Sequence, residues 1–266
     1  MVLEQVFRIN WIEKKPLNAL WIGMLYSFIG IFSSYFVFPV SLGITSIAFA
    51  ALLLLPTLNR LLSLEENEDV REKKLSLKLL FKDHWDIIQV FIFMFIGIFL
   101  TYFLVAVLLS QSTVSAWFST QLAGSYFAGA ASQGFSTFWS YIAHNSKVLF
   151  WCFAFSLIYG AGSIFFLTWN ASVWGAFFGM ATKTGSGSVF LASIPHAFLE
   201  GLSYFVAIVG GGIFSKAMTR EKFGSKKFNH VFTDGIIFFV IAFMILVFAA
   251  AMETWGFRMI YGMLGN

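Results

Sequence analysis

Long apolar runs with few charged residues recur along the chain, separated by shorter segments that collect most of the charges. The runs do not alternate apolar and polar positions with a period of two, which is the pattern of membrane β-barrel strands. Most of them are long enough for an α-helix that crosses a bilayer. The predicted spans are Leu17–Phe38, Leu42–Leu58, Ile87–Leu109, Val148–Thr168, Ala171–Thr182, Val189–Ser215 and Val231–Ala251. We therefore predict an all-α polytopic transmembrane bundle of about seven spans, within a range of five to seven, with interfacial amphipathic helices.

The segments between the runs divide the chain into four predicted parts. Residues 1–58 contain an interfacial segment and a transmembrane hairpin, and residues 59–86 form a charged cytoplasmic loop or amphipathic helix. Residues 87–252 form a membrane core. Its outer interfacial segment is 111–146, where small polar residues are interleaved with aromatic ones. Residues 253–266 are predicted to be a C-terminal tail.

Composition supports a membrane protein and excludes a soluble globular enzyme. Of the 266 residues, 59% are hydrophobic and 11% are charged, whereas soluble domains carry roughly 25% charged residues. Cys152 is the only cysteine, so neither an intrachain disulfide nor a thiolate metal site can form. The net charge of +4 is modest and follows the loops, which is typical of membrane topology and gives no indication of a nucleic-acid partner.

The distribution of Lys and Arg predicts the orientation in the membrane. Of the 17 basic residues, 14 lie in the N-terminal segment, in residues 59–86 and in residues 216–230. Because cytoplasmic loops are enriched in Lys and Arg, we expect these three segments on the cytoplasmic side of a prokaryotic cell membrane.

An ionisable pair lies inside one of the predicted spans. His196 directly follows Pro195, and Glu200 lies four residues after His196. On a helix this spacing puts the side chains of His196 and Glu200 on one face. Ionisable groups at membrane depth are costly, so they mark a candidate functional site.

Three hypotheses account for the His196–Glu200 pair. It is a structural polar lock between helices, worth about 1 kcal/mol per hydrogen bond; or it belongs to a permeation or proton pathway; or it is a metal or hydrolytic site. In the metal-site version of the third hypothesis, His144 would be a further ligand only if the fold brought it close to the pair. In the hydrolytic version, Ser193 or Ser203 would be the nucleophile, although neither lies in the local sequence of a nucleophile elbow.

Further polar and small residues in the second half form a recurring pattern. Asn145 and Asn170 complete the predicted intramembrane polar cluster with His196 and Glu200. The predicted packing or kink positions, where small residues let helices approach closely, are Gly160, Gly162, Gly175, Gly179, Pro195, Gly210, Gly211 and Gly212.

These residues carry a resemblance to the stage II sporulation protein M family. Family members have an Asn before one span, a Gly-rich span, an Asn followed by a small residue, and a Pro-His-Gly-x-x-Glu motif that opens a later span. The matching elements are Asn145, Gly160 with Gly162, Asn170-Ala171, and residues 195–200. Ala171 and Ala197 replace the usual glycines, which is a small-for-small change. The resemblance covers roughly residues 87–252.

The resemblance implies a role as a membrane scaffold for partner proteins. In spore-forming bacteria the family works with peptidoglycan-degrading enzymes during engulfment, as the membrane scaffold for an amidase and a lytic transglycosylase. This function is our first prediction, and a transporter or channel that uses Glu200 and His196 is the alternative. The sequence has no Walker loop or dinucleotide fingerprint, so we predict no cofactor and no metal. We favour a function without catalysis over an enzyme. The expected partners are the lipid bilayer, membrane or cell-surface proteins, and a second copy of the chain.

Overall fold

The structure, a computed structural model, describes residues 11–12, 15–69, 85–124, 134–159, 163–185, 187–220 and 222–263. In these ranges the chain is helical, which confirms the all-α prediction. The long helices are α1 (Asn18–Val37), α2 (Leu42–Asp69) and α3 (Trp85–Leu108), then α6 (Gly134–Tyr159), α7 (Ile164–Lys183), α8 (Gly187–Arg220) and α9 (Lys226–Ala251). Two short helices, α4 (Gln111–Trp117) and α5 (Ser119–Gly124), follow α3, and a π-helical turn (Met252–Gly256) joins α9 to α10 (Phe257–Met263).

Six of the described helices are long and apolar enough to cross a membrane, which agrees with the predicted range. The spans are Asn18–Val37, Pro39–Leu61, Trp85–Leu108, Ile164–Lys183, Leu191–Gly212 and Phe228–Gly256. Helix α6 is less apolar because its middle contains His144, Asn145 and Lys147. It nevertheless packs lengthwise against α8 and α9.

Helix boundaries differ from the predicted ones in three places. Helix α2 continues through Pro56 to Asp69, beyond the predicted end of its span at Leu58. A break was expected at Asn170, but Asn170 is inside α7, which begins at Ile164. Residues 134–146, assigned to an outer interfacial segment, are the first half of α6. The expected N-terminal interfacial segment and residues 70–84 of the charged segment lie largely outside the described residues.

The helices pack as two bundles. We call α1, α2, α3 and α7 the first bundle, and α6, α8 and α9 the second bundle; within each, the helices contact one another far more extensively than they contact the other bundle. Helix α7 therefore lies with the N-terminal helices, although it follows α6 in the chain. Helices α6 and α7 scarcely touch each other, and the space between them is the site described below.

Glycines set the close approach of helices in both bundles. A Cβ at Gly175 would lie 2.6 Å from the carbonyl oxygen of Phe99 in α3, and one at Gly179 would lie 2.6 Å from the Cβ of Ala106. In the second bundle, Gly210 of α8 faces Phe238 of α9 at 2.6 Å and Gly211 faces Phe153 of α6 at 2.7 Å. Such distances exclude a larger residue, so these positions join backbones directly.

Candidate functional site: an acidic and aromatic cavity between the bundles

A cavity of about 450 Å³ lies between α6 and α7. Its volume falls in the range of roughly 300–1,000 Å³ that is usual for small-molecule sites. The carboxyl groups of Glu200, from α8, and Glu253, from the π-helical turn, both line it. The other lining residues are Ser140, Tyr141, His144, Asn145 and Val148 of α6, and Phe165, Phe166, Trp169, Asn170, Val173, Trp174 and Phe177 of α7.

The helical period of α7 explains why one of its faces lines the cavity. Its lining residues recur at intervals of three and four, which is one stripe of an α-helix. The opposite stripe contains Ala171, Gly175, Ala176 and Gly179, all buried, and packs on α3. Small residues thus bring one side of α7 onto the first bundle, while its aromatic side faces the second bundle.

Glu200 is held by its own helix. The hydroxyl group of Tyr204, one turn further along α8, donates a hydrogen bond of 2.9 Å to Oε1 of Glu200. The hydroxyl of Ser203 donates to the backbone carbonyl oxygen of Glu200 at 2.7 Å. Ser203, a candidate nucleophile in the hydrolase hypothesis, therefore donates to backbone and not to His196.

Glu253 reaches the cavity through the π-helical turn. Its side chain is only 12% exposed, and Oε1 lies 4.0 Å from Nε2 of His196. The hydroxyl of Tyr141, in α6, hydrogen-bonds the same carboxyl group. Because π-helical turns concentrate at functional sites, the turn is a second indication that this end of α9 does more than close the bundle.

His196 lies beside the cavity and does not line it. Its side chain is 3% exposed, between Glu253 and the indole of Trp174, whose ring centroid is 5.7 Å from that of the imidazole. Pro195 lies inside α8. The imidazole thus lies next to Glu253 from another element, whereas the nearer residue in sequence, Glu200, bonds Tyr204.

The two asparagines are brought to the cavity from opposite walls. Asn145 of α6 is buried, and Asn170 of α7 donates a hydrogen bond of 2.8 Å to the carbonyl oxygen of Phe166; both line the cavity. The structure therefore brings together Asn145, Asn170 and Glu200, with His196 immediately behind. Gly175, Gly179, Gly210 and Gly211 lie at helix crossings outside the cavity, Gly212 is buried, and Gly160 and Gly162 lie outside the described residues.

Glu253 is the site residue that sequence reasoning missed, because the apolar run ends at Ala251 and Glu253 was assigned to the tail. The periodicity of α9 could have indicated it. The buried positions Ala242, Leu246 and Ala249 recur at helical spacing, and Glu253 continues that series by a further four residues.

The chemistry of the cavity is that of a site for positive charge. Glu200 and Glu253 are close enough to interact electrostatically, and two buried carboxylates repel each other unless a proton or a cation is shared between them. Among the described residues that line the cavity there is no Lys or Arg. No group of three or more His, Cys, Asp or Glu side chains in the described part of the chain is placed to hold a metal ion.

Fold and site together define a polytopic α-helical membrane protein with an acidic cavity between two helix bundles. Residues 90–256 match the family described as Stage II sporulation protein M, which is more than half of the chain. The protein belongs to this family, as its Asn and Pro-His-x-x-x-Glu elements predicted. No curated protein and no solved structure is significantly similar to the chain.

Proposed function

We propose that the protein moves a cation across the membrane, with Glu200 and Glu253 as the groups that bind it. The observation that supports this most directly is the convergence of both carboxyl groups on one cavity that lies within the spans. Glu200 is nine residues along the span Leu191–Gly212, or about 14 Å of helix at 1.5 Å per residue. A carboxyl group at that depth is costly, and a bound cation offsets the cost.

The predicted orientation of the protein indicates which side of the membrane the cavity is nearer to. Helices α8 and α9 are joined by residues 221–225, within the basic segment 216–230, which the positive-inside rule assigns to the cytoplasm. Glu253 lies at the other end of α9. This orientation requires α6 to cross the membrane as a seventh span, because the six apolar spans alone would put residues 59–86 and 216–230 on opposite sides. In this arrangement the cavity belongs to the outer half of the membrane, and the cation enters from the outer side.

The flux test uses the full chain reconstituted in liposomes that contain a pH-sensitive dye, with an imposed membrane potential. Wild type is expected to conduct protons or to exchange them for a cation added outside. Glu200→Gln and Glu253→Gln each reduce that flux roughly tenfold or more, because a hydrogen bond or ion pair to a charged group is worth about 1.5–3 kcal/mol.

The matched control is Asp86→Asn, which removes an exposed carboxylate at the start of α3 and should leave the flux unchanged. Equal insertion of each variant is checked by the amount of protein in the liposome fraction. Wild-type liposomes that show no flux of protons or of any added cation would refute a transport function.

The second candidate function is a membrane scaffold for partner proteins, and membership of the family favours it. In this function the polar cluster fixes the arrangement of the helices, and a membrane protein, a cell-surface protein or a second copy of the chain binds elsewhere. Co-purification from the native membrane at native expression tests it. A stable partner whose binding survives Glu200→Gln would support the scaffold, and its absence would count against it.

A further inference from the structure

We infer that the cavity takes an organic cation, with an ammonium group at the carboxyls and an apolar body against the aromatic side chains of α7. This inference rests on the proposed function, since it names the chemical class of the cation. It is drawn from the difference between the two walls of the cavity, and from its size.

The wall that belongs to the second bundle supplies the negative charge. Glu200 and Glu253 lie on this side, with Asn145 and the hydroxyl groups of Ser140 and Tyr141 beside them. Carboxylates and neutral oxygens accept hydrogen bonds from an ammonium group or attract a quaternary one.

The wall that belongs to the first bundle is aromatic. Five of its seven lining residues are Phe165, Phe166, Trp169, Trp174 and Phe177. Phe165 and Trp169 lie side by side, with ring centroids 6.3 Å apart, so they form a continuous surface. Aromatic faces attract ammonium groups through the ring quadrupole, with Trp the strongest.

The volume argues against a bare inorganic ion as the occupant. A water molecule or an ion of similar size accounts for roughly 30 Å³ of liquid, whereas the cavity measures about 450 Å³. An inorganic ion would leave the aromatic wall without a partner. An organic cation fills the space and contacts both walls at once.

A zwitterionic lipid headgroup carries the same ammonium chemistry but suits the cavity less well. Its phosphate group would lie a few ångströms from the ammonium, and therefore near the two carboxyls. The described lining residues include no Lys or Arg to receive a phosphate. A cation that carries no anionic group avoids this repulsion.

The test is equilibrium binding of radiolabelled benzyltrimethylammonium to the full chain in lipid nanodiscs. We expect saturable binding at one site per chain. Glu200→Gln combined with Glu253→Gln should weaken binding roughly tenfold or more, and Trp169→Leu roughly twofold to thirtyfold. The matched control is Trp151→Leu, on the exposed side of α6, which should leave the affinity unchanged.

Competing ligands decide the chemical class. Unlabelled choline and tetraethylammonium should displace the probe, whereas benzoate should not. Displacement by short-chain phosphatidylcholine at a lower concentration than choline would identify a lipid headgroup as the occupant and overturn the inference. The inference is also wrong if binding does not saturate, or if Trp169→Leu and Trp151→Leu bind equally well.

The binding and flux measurements separate this inference from the proposed function. Proton flux that depends on Glu200, without binding of any organic cation, leaves the transport function standing and refutes the organic cation. Saturable binding that depends on both walls, without flux of the bound cation, supports the ligand class and refutes transport. The Trp169→Leu variant keeps both carboxyl groups, so its affinity for the cation measures the contribution of the aromatic wall alone.

Discussion

The two bundles are both apolar but use some of their buried polar groups differently. In the first bundle Ser46 and Tyr102 share a hydrogen bond of 2.8 Å, and Thr101 donates to the carbonyl oxygen of Met24 at 3.2 Å. In the second bundle, Tyr204 donates to the carboxyl of Glu200 and His196 faces Glu253. The bonds named for the first bundle join neutral groups, whereas those of the second bundle also involve carboxyl and imidazole groups.

The comparison indicates which groups serve stability and which serve a ligand. Both bundles obtain close packing from glycines and from hydrogen bonds to backbone, such as the bond of 2.6 Å from Ser156 of α6 to the carbonyl oxygen of Ile208. Carboxyl groups at membrane depth cost free energy, and the bonds from Tyr204 to Glu200 and from Tyr141 to Glu253 offset part of that cost. The proposed function attributes the rest to a cation bound at that wall of the cavity.

The largest loss of stability is expected from replacing a glycine at a helix crossing with a large residue, and the loss should be similar in both bundles. Gly175→Leu and Gly211→Leu each place a side chain where a Cβ alone would approach a backbone oxygen to 2.6 Å and 2.7 Å. Overpacking costs about 1–3 kcal/mol, and more where backbone must move. Thermal unfolding in detergent should show a lower midpoint for both variants, with Gly262→Ala, where an added Cβ has no neighbour within 4 Å, as a mild reference. A large loss in one bundle only would show that the two are not packed by the same rule.

A change of opposite sign is expected from the carboxyl groups. The double variant Glu200→Gln, Glu253→Gln removes two carboxyl groups that repel each other when both are ionised. At a pH high enough to ionise both, it should raise the free energy of unfolding by about 1 kcal/mol. Flux or cation binding is lost in the same variant. A functional site often carries such a trade between stability and activity. If the free energy of unfolding instead falls by a similar amount, the carboxyl groups stabilise the packing of the helices.

Removal of a single hydroxyl group should change stability least, but it should show most clearly that the two bundles differ in function. Tyr102→Phe and Tyr204→Phe remove the same hydroxyl group, one bonded to Ser46 of another helix and the other to Glu200 of the same helix. Tyr102→Phe should cost about 0.6 kcal/mol of stability, the average for a hydrogen bond between membrane helices, and Tyr204→Phe about 0.5–1.5 kcal/mol. Only Tyr204→Phe should change the affinity for the cation. Equal effects of the two variants on binding would contradict a division of labour between the bundles.

Much of this arrangement could be predicted from the sequence because the relevant patterns are local. Long uncharged runs predicted the helices, and the Pro-His-x-x-x-Glu element predicted both the family and one side of the cavity. The break between α6 and α7 was misplaced because Asn170 and the Gly160 region are equally good interruptions of an apolar run. In the structure, Asn170 bonds the carbonyl oxygen of Phe166 within the helix and does not interrupt it.

The partner of His196 could not be predicted because it depends on tertiary packing. The spacing of His196 and Glu200 indicated a pair on one helix face, but α9 returns alongside α8 and presents Glu253 to the imidazole. The assignment of α7 to the first bundle has the same origin. Gly175 and Gly179 showed that α7 has a face for close packing, yet nothing in their spacing identifies α3 as the helix that packs there.

The π-helical turn at Met252–Gly256 also has a consequence for mutational tolerance. A π turn contains one more residue than the α-helical turn that it replaces, so deletion of one residue there restores regular α-helix without lengthening any loop. Deletion of Met252 would put Glu253 where Met252 now lies, about 100° around the helix axis. Glu253 would leave the cavity while the membrane helix before it remained unchanged. A deletion is therefore expected to be tolerated by the helix at this point but not by the site, and the chain would keep its fold and leave Glu200 as the only carboxyl group among the described residues that line the cavity.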